Sequence, residues 1–244
     1  MIGRVWTLAR ATIEDAARRR LPYVVIFFAF VMALLIPELP SYGAGVVEAL
    51  FVEVSLSLIF AAALVVTIVL VSTKVTSDIE RRTVYAVLSK PVSRAEYLVG
   101  TWLGIFLTLG WVVAGFTIAC QVAGLVNYHD PTWRLWQGSM AIWMEMGVLA
   151  AVGVLFSTRT GPVVVTLAML VDLFVGHARE SVVSPESGLA YHLYPSLDPF
   201  NVISPVAHGG GVGAGEFVAM AVTFVAYSAI LLLLASLLFR GRDL

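Results

Sequence analysis

Charge is scarce in this chain. Asp, Glu, Lys and Arg make up 13% of its 244 residues, about half the share carried by an ordinary soluble domain. Cysteine is almost absent as well: Cys120, inside an apolar run, is alone, which excludes an internal disulfide and a cysteine-cluster metal site. The sequence lacks a G-x-x-x-x-G-K-[ST] loop, so it has no common means of cradling a nucleoside triphosphate. It also lacks H-E-x-x-H and G-x-S-x-G, and no Ser, His and Asp grouping suits an intramembrane hydrolase. Any work done by this chain therefore draws its energy from a gradient or from a partner.

What is abundant is apolar: 59% of residues, with mean hydropathy +0.92. Six runs are long and apolar enough to be read as membrane spans, over 21–36, 49–72, 97–126, 138–157, 161–176 and 217–239. The expected fold is an all-α integral membrane protein forming one transmembrane domain over 1–244. The first and fifth runs are short and must stand upright or borrow flanking residues, whereas the third can tilt.

The 15 basic residues decide the orientation. With the N-terminus inside, Arg4, Arg10, Arg18, Arg19, Arg20, Lys74, Arg81, Arg82, Lys90, Arg94, Arg159, Arg240 and Arg242 face the cytoplasm, and Arg134 and Arg179 face outward. Lys and Arg resist translocation, so this asymmetry over short loops puts both termini in the cytoplasm. Residues 1–20 place Ile2, Val5, Trp6, Ala9, Ile13, Ala16 and Ala17 at helical spacing among charges. That pattern predicts an amphipathic interfacial helix on the cytoplasmic leaflet and not a cleaved leader.

Two connections are substantial: 73–96 inside and 178–216 outside. Neither is long enough to bury a core of its own. Prolines and the glycine run Gly209 to Gly215 make the outer segment read as short helical or re-entrant pieces joined by turns. Gly209 to Ala214 fits G-x-G-x-x-A, but no strand precedes it and it faces outward, so it reads as a linker.

Within the spans, Glu53, Glu145 and Asp172 each cost roughly 2.5–3.5 kcal/mol near a bilayer centre, so each is expected to face a cavity or a partner. At about 1.5 Å per residue Glu53 and Asp172 lie roughly 8 Å below the outer surface and Glu145 roughly 12 Å. They can line an outward vestibule for cations or amines, or serve as neutral helix-interface groups. His129, His177, His192 and His208 fall on the outer face, but no two have ligand spacing, and Met140, Met144 and Met146 read as packing. No metal site is expected. Gly100 and Gly104 form a small-x-x-x-small pair that lets backbones approach.

The inner connection reads Ser77-Asp78-Ile79-Glu80-Arg81-Arg82-Thr83-Val84-Tyr85-Ala86-Val87-Leu88-Ser89-Lys90-Pro91-Val92-Ser93-Arg94 and runs into the third span. Val75, Ile79, Tyr85, Val87 and Leu88 can form an apolar face beside charges, and Pro91 stops a helix at or before Lys90. Such an element can seat in a partner's groove. The segment resembles the hallmark of ABC-2-type permeases, a Glu-Arg-rich stretch leading into Thr-x-x-x-Leu-x-Lys-Pro-Val-Ser-Arg. It departs at Arg82, where many relatives have Gly. The amphipathic leader resembles that family's elbow helix, the outer segment its re-entrant segment, and Arg242-Asp243 its usual ending. Tyr194-Pro195-Ser196-Leu197-Asp198-Pro199-Phe200-Asn201 further resembles the branch labelled as multicopper-enzyme-maturation permeases.

The resemblance implies a six-span permease subunit, not itself an enzyme, in a bacterial inner membrane. It implies a dimer with itself or a similar chain, two separate ABC ATPase subunits that hold ATP and Mg, and transport outward as an exporter. No cofactor on this chain and no nucleic-acid partner are expected; lipid surrounds it. Ile79, Glu80, Arg81, Arg82, Thr83, Val87, Leu88, Lys90, Pro91 and Arg94 are then the ATPase-docking residues. The rival reading is a stand-alone secondary carrier or channel that uses Glu53, Glu145 and Asp172 as a proton relay.

Overall fold

The computed structural model describes residues 2–18, 21–35, 44–80, 93–128, 133–178 and 196–240. Within them the chain is helical, with no strand. In chain order the elements are α1 (Ile2–Arg18), α2 (Leu21–Leu35), α3 (Ala44–Glu80), α4 (Arg94–Tyr128), α5 (Arg134–Ser157), α6 (Pro162–His177), a 3₁₀ turn (Asp198–Phe200), α7 (Ile203–Ala207) and α8 (Ala214–Arg240). The described part of each apolar run lies in one helix, apart from Gly161, which precedes its helix. Four helices, α3, α4, α5 and α8, are long and apolar enough to cross a membrane, and α2 and α6 are shorter apolar helices.

Helix α5 is the axis. Over its apolar stretch 72% of residues are buried inside the protein, against 17% for α8, and it packs on α3, α4, α6, α7 and α8. The reason lies in its small residues, because lipid offers apolar side chains no less than a neighbouring helix does and close approach becomes the source of attraction. A Cβ at Gly138 would lie 2.6 Å from Leu56, and one at Gly153 would lie 2.5 Å from Val71. These two contacts share one residue offset, so α3 and α5 run parallel in a fixed register. Helix α4 runs antiparallel to both: Thr117 donates to Ser139 at 2.6 Å, Trp143 to the Phe106 carbonyl at 2.8 Å and Trp102 to the Gly147 carbonyl at 2.9 Å.

The register sorts charge between the two ends. Arg94 and Arg159 bond carbonyls of Phe239 and Leu238 at the end of α8, and Arg4 and Lys74 pair with Glu96 and Asp15 at that same end. At the other end Arg134 faces Glu48 at 3.9 Å. The first end is thus the basic end of the bundle.

Helix α1 lies along the start of α4. Val5, Leu8, Ala9 and Thr12 meet Gly100 and Gly104, where a Cβ would lie 2.7 Å from Leu8 and 2.6 Å from the Ala9 carbonyl oxygen. The glycine pair is thus the seat of α1. Its apolar stripe divides: Ala9 and Ala16 are buried, while Trp6 is 55% exposed.

Two connections are partly described. Helix α3 continues past the apolar run to carry Ile79 and Glu80, so these belong to its extension. Arg81, Arg82, Thr83, Val87, Leu88, Lys90 and Pro91 lie outside the described residues, as do residues 179–195 and 241–244. Residues 196–213 fold back against the bundle: Leu197, Phe200, Val206 and Ala207 are buried, and α7 packs on α3 and α5. The glycine run is a turn, with Gly209 at φ +88° and Gly211 at φ +59°, a conformation glycine adopts without a Cβ penalty. The Val212 N–H donates to Gln137 Oε1 at 3.0 Å, which ties that turn to α5.

Candidate functional site

Two places gather polar chemistry. The first is the α5–α6 hairpin. After Ser157 the chain turns through Thr158, Arg159 and Thr160, held by N–H bonds from Arg159 and Thr160 to the Phe156 carbonyl. Gly161 is extended and Pro162 opens α6, a position where a missing N–H costs nothing. Counted from this turn at about 1.5 Å per residue, Glu145 lies roughly 18 Å back along α5 and Asp172 roughly 15 Å forward along α6. The hairpin therefore brings two residues distant in sequence to one depth, and Asp172 acts electrostatically on Glu145.

His177, the last residue of α6, completes this group. Its Nε2 faces Glu145 Oε1 at 3.6 Å, with the glutamate side chain 2% exposed and the imidazole 29%. The ring's Nδ1 lies 3.1 Å from the Leu173 carbonyl. Above it, the Leu197 N–H donates to the Gly176 carbonyl at 3.2 Å, and a Cβ at Gly176 would lie 2.6 Å from the Leu197 side chain. Residues 196–200 thus cover the end of α6 beside the histidine. Glu53 does not join the group: it is half-buried on α3, and the α3–α5 register separates it from Glu145 by ten residues, about 15 Å along the axis. Among the described residues no three His, Cys, Asp or Glu side chains converge as metal ligands.

The second place is the basic end of the bundle, where α4 begins with a reciprocal cap. The Ser93 N–H donates to Glu96 Oε2 at 2.8 Å and the Glu96 N–H donates to Ser93 Oγ at 3.1 Å, a pairing that satisfies two donors a helix start would otherwise leave open. Arg94 turns to α8. Its Nη1 donates to the Phe239 carbonyl at 2.6 Å, its guanidinium lies 5.6 Å from the Phe239 ring centre, and Tyr97 stacks on that ring at 6.4 Å. Of the ten docking residues read from the sequence, Arg94 is the one with a described side chain, and it is committed to holding the end of α8.

Sequence reading missed the connection between these places. Phe106 stacks with Trp143 at 4.3 Å, with Phe224 at 4.9 Å and with Trp102 at 5.5 Å, joining α4, α5 and α8. Gly147 makes room for it, since a Cβ there would lie 2.6 Å from Phe224. On the Arg134 side of the stack, an apolar cleft of about 320 Å³ between α4 and α5 is lined by Trp111, Trp136, Trp143 and Met140. Its polar lining is satisfied internally: Trp136 bonds Gln121 and Thr117 bonds Ser139, so the cleft suits an apolar occupant.

Comparison with known protein families matches no family model, and comparison with curated proteins matches none of them.

Proposed function

We propose that this chain is a six-span permease subunit of the ABC-2 type, driven by separate ABC ATPase subunits and working as an exporter in a bacterial inner membrane. In this reading α2, α3, α4, α5, α6 and α8 are the spans, α1 is the elbow helix, and residues 196–213 belong to the outer re-entrant segment. The observation that carries the reading is the segment Thr83 to Arg94 with its Lys90-Pro91-Val92-Ser93-Arg94 core. Supporting it, α3 ends and α4 begins at the basic end of the bundle, which is the end a cytoplasmic ATPase meets.

Coupling follows from packing. A push on the docking segment acts on α3 and α4 together. Helix α4 is joined to α1 through Gly100 and Gly104, to α8 through Arg94, and to α5 through the aromatic stack. Movement started by ATP hydrolysis on the partner thus reaches the outer cap through rigid helices. The rival reading, a stand-alone carrier, draws support from the Glu145, Asp172 and His177 group.

The test is reversal of Arg81 and Arg82 to Glu. Insertion is retained because other basic residues flank the spans. ATPase retention through purification falls together with transport, since like charges placed at an interface cost several kcal/mol. Leu88→Asp acts the same way by removing an apolar anchor, and reversal of Arg159 has less effect. Normal insertion with unchanged ATPase retention and transport in the double reversal leaves the loop as a topology anchor only, and sinks the docking role.

A further inference from the structure

Glu145 stands near the middle of the 24 residues of α5, where its carboxyl is closed off from solvent. Oε1 makes no hydrogen bond among the described residues; what faces it is His177 Nε2 at 3.6 Å. A carbonyl oxygen only accepts, so the contact between Nδ1 and the Leu173 carbonyl places a hydrogen on Nδ1. That leaves Nε2 toward the carboxyl. At 3.6 Å the atoms stand in ion-pair range and just beyond hydrogen-bond distance, so a proton held by the two, as imidazole with carboxylic acid or as imidazolium with carboxylate, removes the clash of facing lone pairs. Without it, two lone pairs face each other in a medium of low permittivity, beside Asp172.

We propose that Glu145 and His177 together bind one exchangeable proton, which reaches them from the outer face through His177. The balance is simple: a proton leaves outer water, is bound on Nε2 or on Oε1, and returns by the same route, with no electron moved. The loaded pair is neutral and the empty pair carries one negative charge. Its position gives that charge a mechanical outlet. The pair sits where the end of α6, the middle of α5 and Leu197 of the cap meet, so emptying it sets lone pairs against each other at the joint that holds α6 to α5.

The other ionisable groups on the elements around α5 are accounted for. Helix α6 supplies Asp172, in electrostatic reach. Helix α3 supplies Glu53, ten residues away in register, while Glu48 and Lys74 lie toward its two ends. Helix α4 supplies Arg94, Glu96 and Tyr97 at its first end and Cys120 and Tyr128 toward its last. Helix α8 supplies Glu216 and Tyr227, and the cap supplies Asp198 and His208, both exposed. Among the described residues no third ligand converges on Glu145 and His177. The inference goes beyond both functional readings, holds whether ATP or a gradient powers transport, and omits Glu53.

The test uses the full chain in lipid nanodiscs and in proteoliposomes, read by infrared difference spectra of the protonated carboxyl on pH steps and by ¹⁵N-histidine spectra. The expected result is a protonated-carboxyl band that appears and disappears reversibly on the pH steps. Glu145→Gln abolishes it, and His177→Gln moves its midpoint by about one pH unit or more, tenfold in proton concentration. Asp172→Asn shifts the band without removing it. In proteoliposomes the band follows outer pH. In the wild type, Nδ1 of His177 keeps its hydrogen throughout the pH steps, a result that needs no variant to fold. A band indifferent to His177→Gln, a band lost in Asp172→Asn but kept in Glu145→Gln, or a His177 that exchanges tautomers like a free imidazole overturns the pairing. A band that follows inner pH overturns the outer port.

Discussion

Arg94 was read from the sequence as part of a docking segment, yet its side chain holds the end of α8, and the two roles separate on mutation. Arg94→Ala removes a charge-assisted hydrogen bond to the Phe239 carbonyl, worth about 1.5–3 kcal/mol, and a cation–π contact over the same ring, worth about 0.5–1 kcal/mol. It also removes a positive charge from a helix C-terminus, worth about 0.3–1 kcal/mol. The terms overlap, because one guanidinium makes all three, and solvent at the helix end screens them. A net loss of about 2 kcal/mol is expected, which lowers Tm by roughly 4–8 °C in a chain of this size. Thermal unfolding of the isolated chain in lipid nanodiscs measures it with no ATPase present. Arg94→Lys recovers part of the loss, since an ammonium keeps charge and donor but lacks the planar fork. In a double-mutant cycle, Arg94→Ala costs less in a Phe239→Leu background, where the ring contact is already gone. An Arg94→Ala chain as stable as the wild type, but poor at retaining the proposed ATPase partner, refutes the capping role and returns Arg94 wholly to docking.

Two further outcomes follow from the packing and charge. Gly104→Leu forces α1 away from α4, because even a Cβ there meets the Ala9 backbone at 2.6 Å; about 1–3 kcal/mol of overpacking is expected. In a Cys120→Ala background a cysteine at Ala16, which is 3% exposed, then gains maleimide reactivity, and unchanged protection would show that α1 does not rest on this glycine. For topology in intact cells, cysteines at Ser93 and Arg242 stay shielded from an impermeant thiol reagent while those at Asn127 and Ser187 react; outside labelling at Ser93 overturns orientation and docking together.

The apolar runs mark the helices to within a few residues, because polar residues close most of them: Arg94 and Tyr128 bound α4, and Arg134 and Ser157 bound α5. Helix α3 outran its apolar run because Lys74 to Glu80 contain no breaker, and nothing in hydropathy stops a helix that has left the apolar layer. Gly100 and Gly104 were legible as a packing pair, but α1 as their partner was not, since close approach is symmetric in what it invites. The grouping at Glu145 was half legible. Depth along each run gave similar levels for Glu145 and Asp172, whereas placing Glu53 requires the register between α3 and α5, which is set by Leu56 on Gly138 and Val71 on Gly153. His177 read as an outer-face residue because α6 is short and ends there; only the hairpin shows that this end reaches back to Glu145. The Ser93 to Glu96 cap was written plainly as S-x-x-E and passed over beneath the Lys-Pro-Val-Ser-Arg pattern that contains its first residue.

The central claim, a permease subunit driven by a separate ATPase, is tested most directly by the composition and activity of the complex isolated with its lipid. Native mass measurement of the affinity-tagged chain is expected to give two permease subunits with two ABC ATPase subunits, hydrolysing ATP in proportion to the amount of complex. The contradictory result is a chain that purifies without an ATPase and, reconstituted alone, moves solute down or against an imposed ion gradient in the absence of nucleotide.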